Sequence, residues 1–303
     1  MSKIDDLLQY FQNKILNQQR PDGGWSFTQS GASAIEPTCL ALLALRSYAG
    51  AACSKGTRFL LSTQNRNGSW SAFVGDDPEG CWVTSLAVIT LRKFSAESKP
   101  IERAVSWLLD ARGREAHWFW KWRYRTTDRK VTFDPDHFGW PWTPGTTSWV
   151  VPTAFGLIAL RHCFAGRVLL ECADFRLRKG TAMLLDRSCP GGGWNAGNSV
   201  VCGVPLSPHL DTTAVALLAL NGEDGNHPIQ ASLRWLQENI GSGHSLYSLA
   251  WAMLALKAHS QSTELIVERI ATLASPDELP VGVETMALTC LCLQTLNGKN
   301  AFV

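Results

Sequence analysis

Polar and apolar positions alternate along this chain in whole segments rather than residue by residue. Six runs of about ten residues are apolar at nearly every position and end in leucine: 36–45, 82–91, 151–160, 211–220, 247–256 and 284–293. They are rich in alanine and lack period-two alternation, so they predict helices rather than strands. A helix that is apolar on all sides is buried on all sides. Pro37 and Pro152 stand in the first turn, where the missing N–H costs nothing.

A segment with one charged face precedes each apolar run. The clearest examples are residues 5–16, 101–109 and 229–237, and others begin near Thr57, Arg178 and Thr263. Amphipathic helices that alternate with apolar ones predict two concentric layers, with the apolar helices inside. An open solenoid is the alternative, but it needs polar caps, and the last run is as apolar as the others. The sequence therefore predicts an all-α (α/α)6 toroid of six helical hairpins, with residues 1–303 in one domain.

An aromatic-rich insertion at about residues 113–149 interrupts the third hairpin. A connection of this length is typical of a functional segment, and this one is too aromatic to be disordered. We predict that its tryptophans line the wall or mouth of a cavity, where ring faces stabilise cations: Trp118, Trp120, Trp140, Trp142 and Trp149. Two alternatives remain. Lys121, Arg123 and Arg125 hold a diphosphate, or the insertion is a surface flap pinned to the outer helices.

A second repeated phrase joins outer helices to inner ones. Residues 18–25, 64–70 and 186–194 each end in glycine or Gly-Ser followed by tryptophan. Glycine ends a helix in the left-handed conformation, and the tryptophan packs over the next helix, so we interpret this phrase as structural. It resembles the Gln–Trp motif of squalene, oxidosqualene and related terpene cyclases. The resemblance implies the α/α toroid that these cyclases share with protein-prenyltransferase β subunits.

Aligning the six apolar runs on their last leucine brings one residue from each to the same end of the toroid. These residues are Glu36, Trp82, Val151, Asp211, Tyr247 and Glu284. We predict that Glu36, Trp82, Tyr247 and Glu284 contact a substrate. Acidic residues at helix N-termini also complement the helix dipole, which explains Glu36 and Glu284 without any ligand.

Asp211 lies in the stretch His209-Leu-Asp-Thr-Thr-Ala214. This stretch resembles the Asp-x-Asp-Asp-Thr-Ala motif of squalene–hopene cyclases and the Asp-Cys-Thr-Ala motif of oxidosqualene cyclases. The resemblance implies that Asp211 is the Brønsted acid. His209 and Thr212 replace the two other acids, and we predict that they support the Asp211 carboxyl. An alkene is a weak base, so its acid must be protonated and directed into an apolar cavity. A helix cap or a ligand-positioning residue is the alternative role for Asp211.

Composition narrows the classes of function. The net charge is only +2 and no basic run occurs, so nucleic-acid binding has no electrostatic support. The nine cysteines form no Cys-x-x-Cys pair, and the first residues do not resemble a signal peptide, which predicts reduced thiols and a cytoplasmic protein. No apolar run approaches the roughly 20 residues that cross a bilayer.

Together these observations predict an acid-initiated terpene cyclase, an isomerase that protonates a hydrophobic isoprenoid or lipid with Asp211 and needs no cofactor or metal. One alternative is a toroid that binds a lipid or a protein partner without catalysis. Others are a zinc prenyltransferase-like site from Cys202, His209 and Asp211, or a carbohydrate-active toroid using Glu36, Asp211 and Glu284. The resemblance also leaves open a second subunit, a homodimer and peripheral contact with a membrane.

Overall fold

The computed structural model describes residues 3–28, 30–94, 98–127, 132–166, 168–223, 225–242, 245–274 and 282–303. These residues form thirteen α-helices and one short β-hairpin. The inner helices are α2 (Ile35–Leu45), α4 (Val83–Lys93), α7 (Val150–Phe164), α9 (Leu210–Ala219), α11 (Leu246–Ala258) and α13 (Val283–Gln294). The outer helices are α1 (Lys3–Asn17), α3 (Gly50–Ser62), α5 (Ser98–Asp110), α8 (Glu171–Asp186), α10 (His227–Asn239) and α12 (Glu264–Leu273). The remaining helix is α6 (Trp118–Thr126), and the hairpin pairs β1 (Val200–Val201) with β2 (Val204–Pro205).

The six inner helices form a closed ring. Each contacts the next in the order α2, α4, α7, α9, α11 and α13, and α13 returns to α2. Almost every residue of these helices is buried, as their apolar sequences require. Gln294 of α13 donates its side-chain N–H to the Ala44 carbonyl of α2 at 2.8 Å, across the closing contact. The predicted all-α toroid with apolar helices inside is confirmed.

Each outer helix covers the inner ring from outside, and α1 contacts both α2 and α13. Two outer helices begin about seven residues earlier than the sequence pattern predicted, at Gly50 for α3 and Glu171 for α8. In α3 the early turns bury small residues, Ala52, Cys53 and Gly56, which add little to an apolar pattern. They allow close packing: a Cβ on Gly56 would lie 2.8 Å from the Leu42 side chain.

Four tryptophans connect the two layers through the same pair of hydrogen bonds. The indole N–H donates to a carbonyl of the preceding outer helix, and the backbone N–H donates to a threonine hydroxyl of the following inner helix. The outer-helix acceptors of Trp25, Trp70, Trp140 and Trp194 are Ile15, Leu60, Leu108 and Leu184, at 2.6–2.8 Å. The threonines are Thr38, Thr84, Thr153 and Thr213, at 2.9–3.0 Å. Trp140 of the insertion therefore occupies a layer-connecting position like the other three.

Two of these turns also connect neighbouring outer helices. The Gln19 side-chain N–H groups donate to the carbonyls of Gly23, at 2.9 Å, and of Ala52 in α3, at 2.8 Å. In the next turn Gln64 makes the same two bonds, to Gly68 and to Pro100 in α5. Gly68 has φ +93°, and a Cβ there would lie 2.6 Å from the Arg103 carbonyl oxygen of α5. The turn thus needs glycine for both its conformation and its packing.

The insertion is held by buried charged groups. Its residues 128–131 lie outside the described residues. The fully buried Glu115 carboxylate accepts the Ser148 backbone N–H at 3.1 Å and lies 4.0 Å from the Arg187 guanidinium. The buried Arg176 guanidinium stacks on the Trp140 ring, 4.0 Å from its centroid. These contacts connect the insertion to α8, which carries Arg176, and to the residue that follows it, Arg187.

We predict that Gly68→Ala lowers the free energy of unfolding by about 3 kcal/mol, since an added Cβ meets both the left-handed penalty and a backbone oxygen. Gly75→Ala is the matched control, because Gly75 has φ +79° but open space around its Cβ position. The control should cost only about 1 kcal/mol. Urea denaturation of both variants measures the difference, and equal losses would contradict the close packing at Gly68.

Candidate functional site

A cavity of about 360 Å³ lies on the toroid axis near the N-terminal ends of the inner helices. Its volume is in the range of small-molecule pockets. The lining side chains are Glu36, Leu40, Trp82, Leu86, Trp142, Val151, Phe155, Ala196, Asp211, Thr212, Val215, Tyr247 and Trp251. Most of them are apolar or aromatic, and five of the six inner-helix segments contribute.

The structure brings together most of the ring of residues that the sequence alignment placed at one end. Glu36, Trp82, Val151, Asp211 and Tyr247 all line the cavity. The sixth residue, Glu284, is absent from the lining, but its charge acts on Glu36. The common register of the six runs therefore places side chains from separate hairpins in one cavity.

A second ring of lining residues lies one helical turn deeper, and the sequence analysis missed it. It consists of Leu40, Leu86, Phe155, Val215 and Trp251. Each stands four positions after a member of the first ring, so it shares the same helix face. This spacing is the signal from which the second ring was predictable. Phe155 and Trp251 have the largest side chains of this ring, and their ring centroids lie 5.8 Å apart.

Aromatic side chains form a continuous wall around part of the cavity. The Trp82 ring lies 5.3 Å from both Trp142 and Phe155, measured between ring centroids. Trp251 continues this wall to Tyr247, at 6.4 Å. Such faces carry negative electrostatic potential, so a cation inside the cavity would be stabilised by several of them.

Glu36 is the cavity carboxyl whose electrostatics are most altered. Burial raises its pKa to about 7, and the negative charge of Glu284 adds to the effect. Removing a carboxyl group from water disfavours its charged form. No described side chain donates a hydrogen bond to Glu36 that would oppose this shift. Glu36 therefore keeps its proton in a large share of molecules at neutral pH.

Asp211 has different surroundings. Its Oδ1 accepts the Thr212 backbone N–H at 2.9 Å, at the start of α9. Thr212 is buried and lines the cavity beside it. His209 is exposed at the N-cap position of α9 and is not among the lining residues. Of the predicted catalytic group, the structure thus brings Asp211 and Thr212 to the cavity and leaves His209 outside.

The tryptophans of the insertion occupy different places, and among them only Trp142 lines this cavity. Trp140 is buried in its layer-connecting turn. Trp149 is half-buried against Gly197, and a Cβ on that glycine would lie 2.8 Å from its ring. The guanidinium groups of Arg114 and Arg123 both lie over the Trp120 ring, while Trp118 is 72% exposed.

The basic residues of α6 already have partners in the insertion. Lys121 lies 2.8 Å from Asp136, and Arg125 forms an ion pair with the same carboxylate. The hydrogen bond from Lys121 and the positive charges lower the pKa of Asp136. Two of the three residues considered for diphosphate binding are therefore paired with one acid of the same segment. Within the described residues, no group of three His, Cys, Asp or Glu side chains is arranged to hold a metal ion.

Comparison with solved structures shows which proteins share this fold. A glycosidase variant superposes with TM-score 0.66 at 11% identity, over 98% of this chain and 97% of that one. The type II terpene cyclase MstE from Scytonema gives 0.62 at 14% identity, over 97% and 98%. Candida albicans protein geranylgeranyltransferase-I gives 0.52 at 16% identity, over 72% and 61%.

Comparisons at the level of sequence add no relative: no protein-family model and no curated protein matches the chain. The structural likenesses therefore establish the α/α-toroid fold, which is shared by cyclases, prenyltransferases and glycosidases. Among the described helices, none has both the length and the apolar character needed to cross a bilayer.

We predict that the folded protein loses stability as pH rises through the range in which Glu36 ionises. Its pKa is about 7 when folded and 4.5 as a free side chain, so the folded state binds the extra proton between these values. This proton contributes on the order of 3 kcal/mol to the free energy of unfolding below about pH 4.5, and the contribution is lost as the pH rises from about 4.5 to about 7. Glu36→Gln should remove that part of the pH dependence.

Denaturation of both proteins from pH 5 to pH 8.5 measures this difference, with infrared absorption of the protonated carboxyl as a direct readout. Glu264→Gln is the control, because Glu264 is exposed at the start of outer helix α12. If the free energy of unfolding changed with pH in the same way for wild type and Glu36→Gln, the result would contradict a raised pKa at Glu36.

Proposed function

We propose that the axial cavity binds a linear isoprenoid and protonates it, so that the protein is an acid-initiated terpene cyclase. The observation that carries the proposal is the combination of an aromatic wall with two carboxyl groups, Glu36 and Asp211, in one cavity. A variant of the cyclase MstE has been solved with the substrate geranylgeranyl dihydroxybenzoate, which shows that this fold accommodates a prenyl chain. The same ligand class fits an apolar cavity of this kind.

The reaction requires a proton donor and surroundings that stabilise the carbocation. A carboxylic acid transfers its proton to one carbon of a C=C bond, leaving a carboxylate and a carbocation at the other carbon. Further C=C bonds of the substrate attack the cation and close rings, while the aromatic faces of Trp82, Phe155 and Trp251 stabilise the positive charge. Loss of a proton from the final cation forms the product alkene and regenerates the acid.

Two carboxyl groups are candidates for the proton donor. The motif resemblance assigns this role to Asp211, with Thr212 beside it at the cavity wall. Burial favours Glu36, because it raises the pKa to about 7 and so retains the proton that a donor must carry. We propose Asp211 as the donor by resemblance and Glu36 as the carboxyl that must be tested against it.

The two assignments predict different variant activities. Asp211→Asn and Glu36→Gln each replace a carboxyl group by an amide of the same shape. Loss of the donor should reduce turnover about 10²- to 10⁴-fold, and the other variant should retain most of it. Purified wild type and both variants are incubated with squalene, oxidosqualene, and farnesyl and geranylgeranyl diphosphates, and products are identified by mass spectrometry.

Circular dichroism of each variant provides the control for folding. Cyclised product from wild type that persists undiminished in both folded variants would contradict acid initiation by this cavity. If wild type converts no isoprenoid but retains one from the expression host, the non-catalytic lipid-binding alternative replaces the cyclase.

Glycoside hydrolysis is the second candidate, and the contrast between Glu36 and Asp211 favours it. Glycosidases use one carboxyl group that keeps its proton and a second that is ionised. Burial raises the pKa of Glu36, whereas Asp211 accepts a backbone hydrogen bond at the start of α9. A glycosidase shares the fold. Release of nitrophenol from a panel of nitrophenyl glycosides, lost in Glu36→Gln, would support this function over cyclisation.

We also propose that the cavity end of the toroid contacts a membrane surface, from which an isoprenoid would enter. Helix α6 buries none of its residues, and Trp118 and Trp122 are 72% and 56% exposed. The Arg114 guanidinium lies over the ring of Trp120 in this helix and donates a hydrogen bond to the Gly145 carbonyl in the loop before α7. Exposed tryptophans beside basic residues are typical of helices that lie in the membrane interface.

Trp118→Ala combined with Trp122→Ala should weaken binding to phosphatidylglycerol-containing vesicles about tenfold or more, because each indole contributes apolar surface to the interface. Leu170→Ala is the control, since Leu170 is exposed in the α7–α8 connection at the opposite end. Vesicle co-sedimentation measures the difference. Equal binding by all three proteins would contradict the proposed orientation.

A further inference from the structure

We infer that Phe302 is the floor of the axial cavity and sets the longest ligand that the cavity accepts. This inference rests on the proposed function for the class of ligand, a linear apolar chain. The floor itself follows from the arrangement of two cavities and one side chain along the toroid axis.

A second cavity, of about 340 Å³, follows the first along the inner helices. Along α7, Val151 and Phe155 line the first cavity, and Ile158, Arg161 and His162 line the second. Along α9, Asp211 and Val215 line the first, and Leu218 lines the second. In each helix the last residue that lines the first cavity and the first residue that lines the second are three positions apart, which corresponds to a rise of about 4.5 Å along the helix. The two cavities are therefore separated by less than one helical turn.

The Phe302 side chain lies at the level of the toroid axis that separates the two cavities. It lines the second cavity, while its ring centroid lies 5.1 Å from Trp251 and 6.2 Å from Phe155, both of which line the first. Only 2% of the residue is exposed. Phe155 and Trp251 belong to inner helices that are separated by α9 in the ring, so a side chain that packs on both extends into the lumen.

Hydrogen bonds hold the Phe302 backbone independently of its ring. The Phe302 N–H donates to the Asn300 side-chain oxygen at 3.0 Å, and the Asn300 amide donates to the Leu254 carbonyl of α11 at 3.2 Å. The His162 side chain of α7 lies close to the Phe302 backbone. Truncating the ring therefore leaves the segment anchored at α11.

The ring limits ligand length because a chain that enters past Trp82 and Phe155 meets Phe302 on the axis. Without the ring, the next side chains that a chain end would meet are Ile158 and Leu218, which are apolar. The opened lumen would thus accept several more methylene or methyl groups beside these two side chains. The cationic groups of Lys93 and Arg161 also line this second cavity.

The test compares ligand-length limits in Phe302→Ala, Phe302→Leu and wild type. Two ligand series are used: the isoprenoid alcohols geraniol, farnesol and geranylgeraniol with squalene, and linear alkanols from octanol to docosanol. Phe11→Ala is the control, because Phe11 is similarly buried but lies on outer helix α1. Dissociation constants are measured by quenching of tryptophan fluorescence, and circular dichroism verifies folding.

In wild type, affinity should increase with chain length up to a limit and then stop increasing. Phe302→Ala should move the limit to longer ligands and strengthen binding of the first excluded member at least about tenfold, since each newly buried methylene contributes to affinity. Phe302→Leu should give a smaller shift in the same direction, and it provides the test if the alanine variant does not fold. Phe11→Ala should leave the limit unchanged.

An unchanged limit in a folded Phe302 variant, or an equal shift in Phe11→Ala, would overturn the inference. The two ligand series separate this failure from that of the proposed function. If wild type binds alkanols with a limit that Phe302→Ala moves, but binds no isoprenoid, the floor stands and the isoprenoid proposal fails. Wild type that binds neither series overturns both.

Discussion

The inner helices have no polar face, and the rest of the architecture follows from this constraint. A helix that is apolar on every side must be covered on every side, and a closed ring within an outer layer covers all six. A ring of six helices also encloses an axis. Residues at equivalent positions of the runs, such as Glu36 and Asp211, then face a common cavity although 175 positions separate them.

The two carboxyl groups that the ring brings into the cavity, Glu36 and Asp211, have different surroundings. Glu36 is desolvated and close to the charge of Glu284, so it retains its proton near neutral pH. Asp211 accepts a backbone N–H at the start of α9, where the helix dipole also favours negative charge. A carboxyl group with a raised pKa and a second one that accepts a backbone hydrogen bond, both in one cavity, form an arrangement suited to acid–base chemistry.

Much of this was predictable from sequence because the repeats are regular. The toroid and the first ring of lining residues follow from six runs in one register, and the second ring follows from a spacing of four. Trp140 was not recognised as a layer-connecting residue because 32 positions separate it from its acceptor Leu108, against ten for Trp25, Trp70 and Trp194. Phe302 belongs to no repeat, so only the three-dimensional structure places it in the lumen.

Ring closure has a consequence for how the chain folds during synthesis. The contact that completes the ring joins α13 to α2, and the Gln294–Ala44 hydrogen bond spans 250 positions. Until α13 has left the ribosome, one apolar side of α2 has no neighbour, and each emerging inner helix exposes a new apolar edge. Such long-range closure slows folding, and an incomplete ring is prone to aggregation. Apolar surface that the finished ring buries therefore stays uncovered over most of the time that the chain is being synthesised.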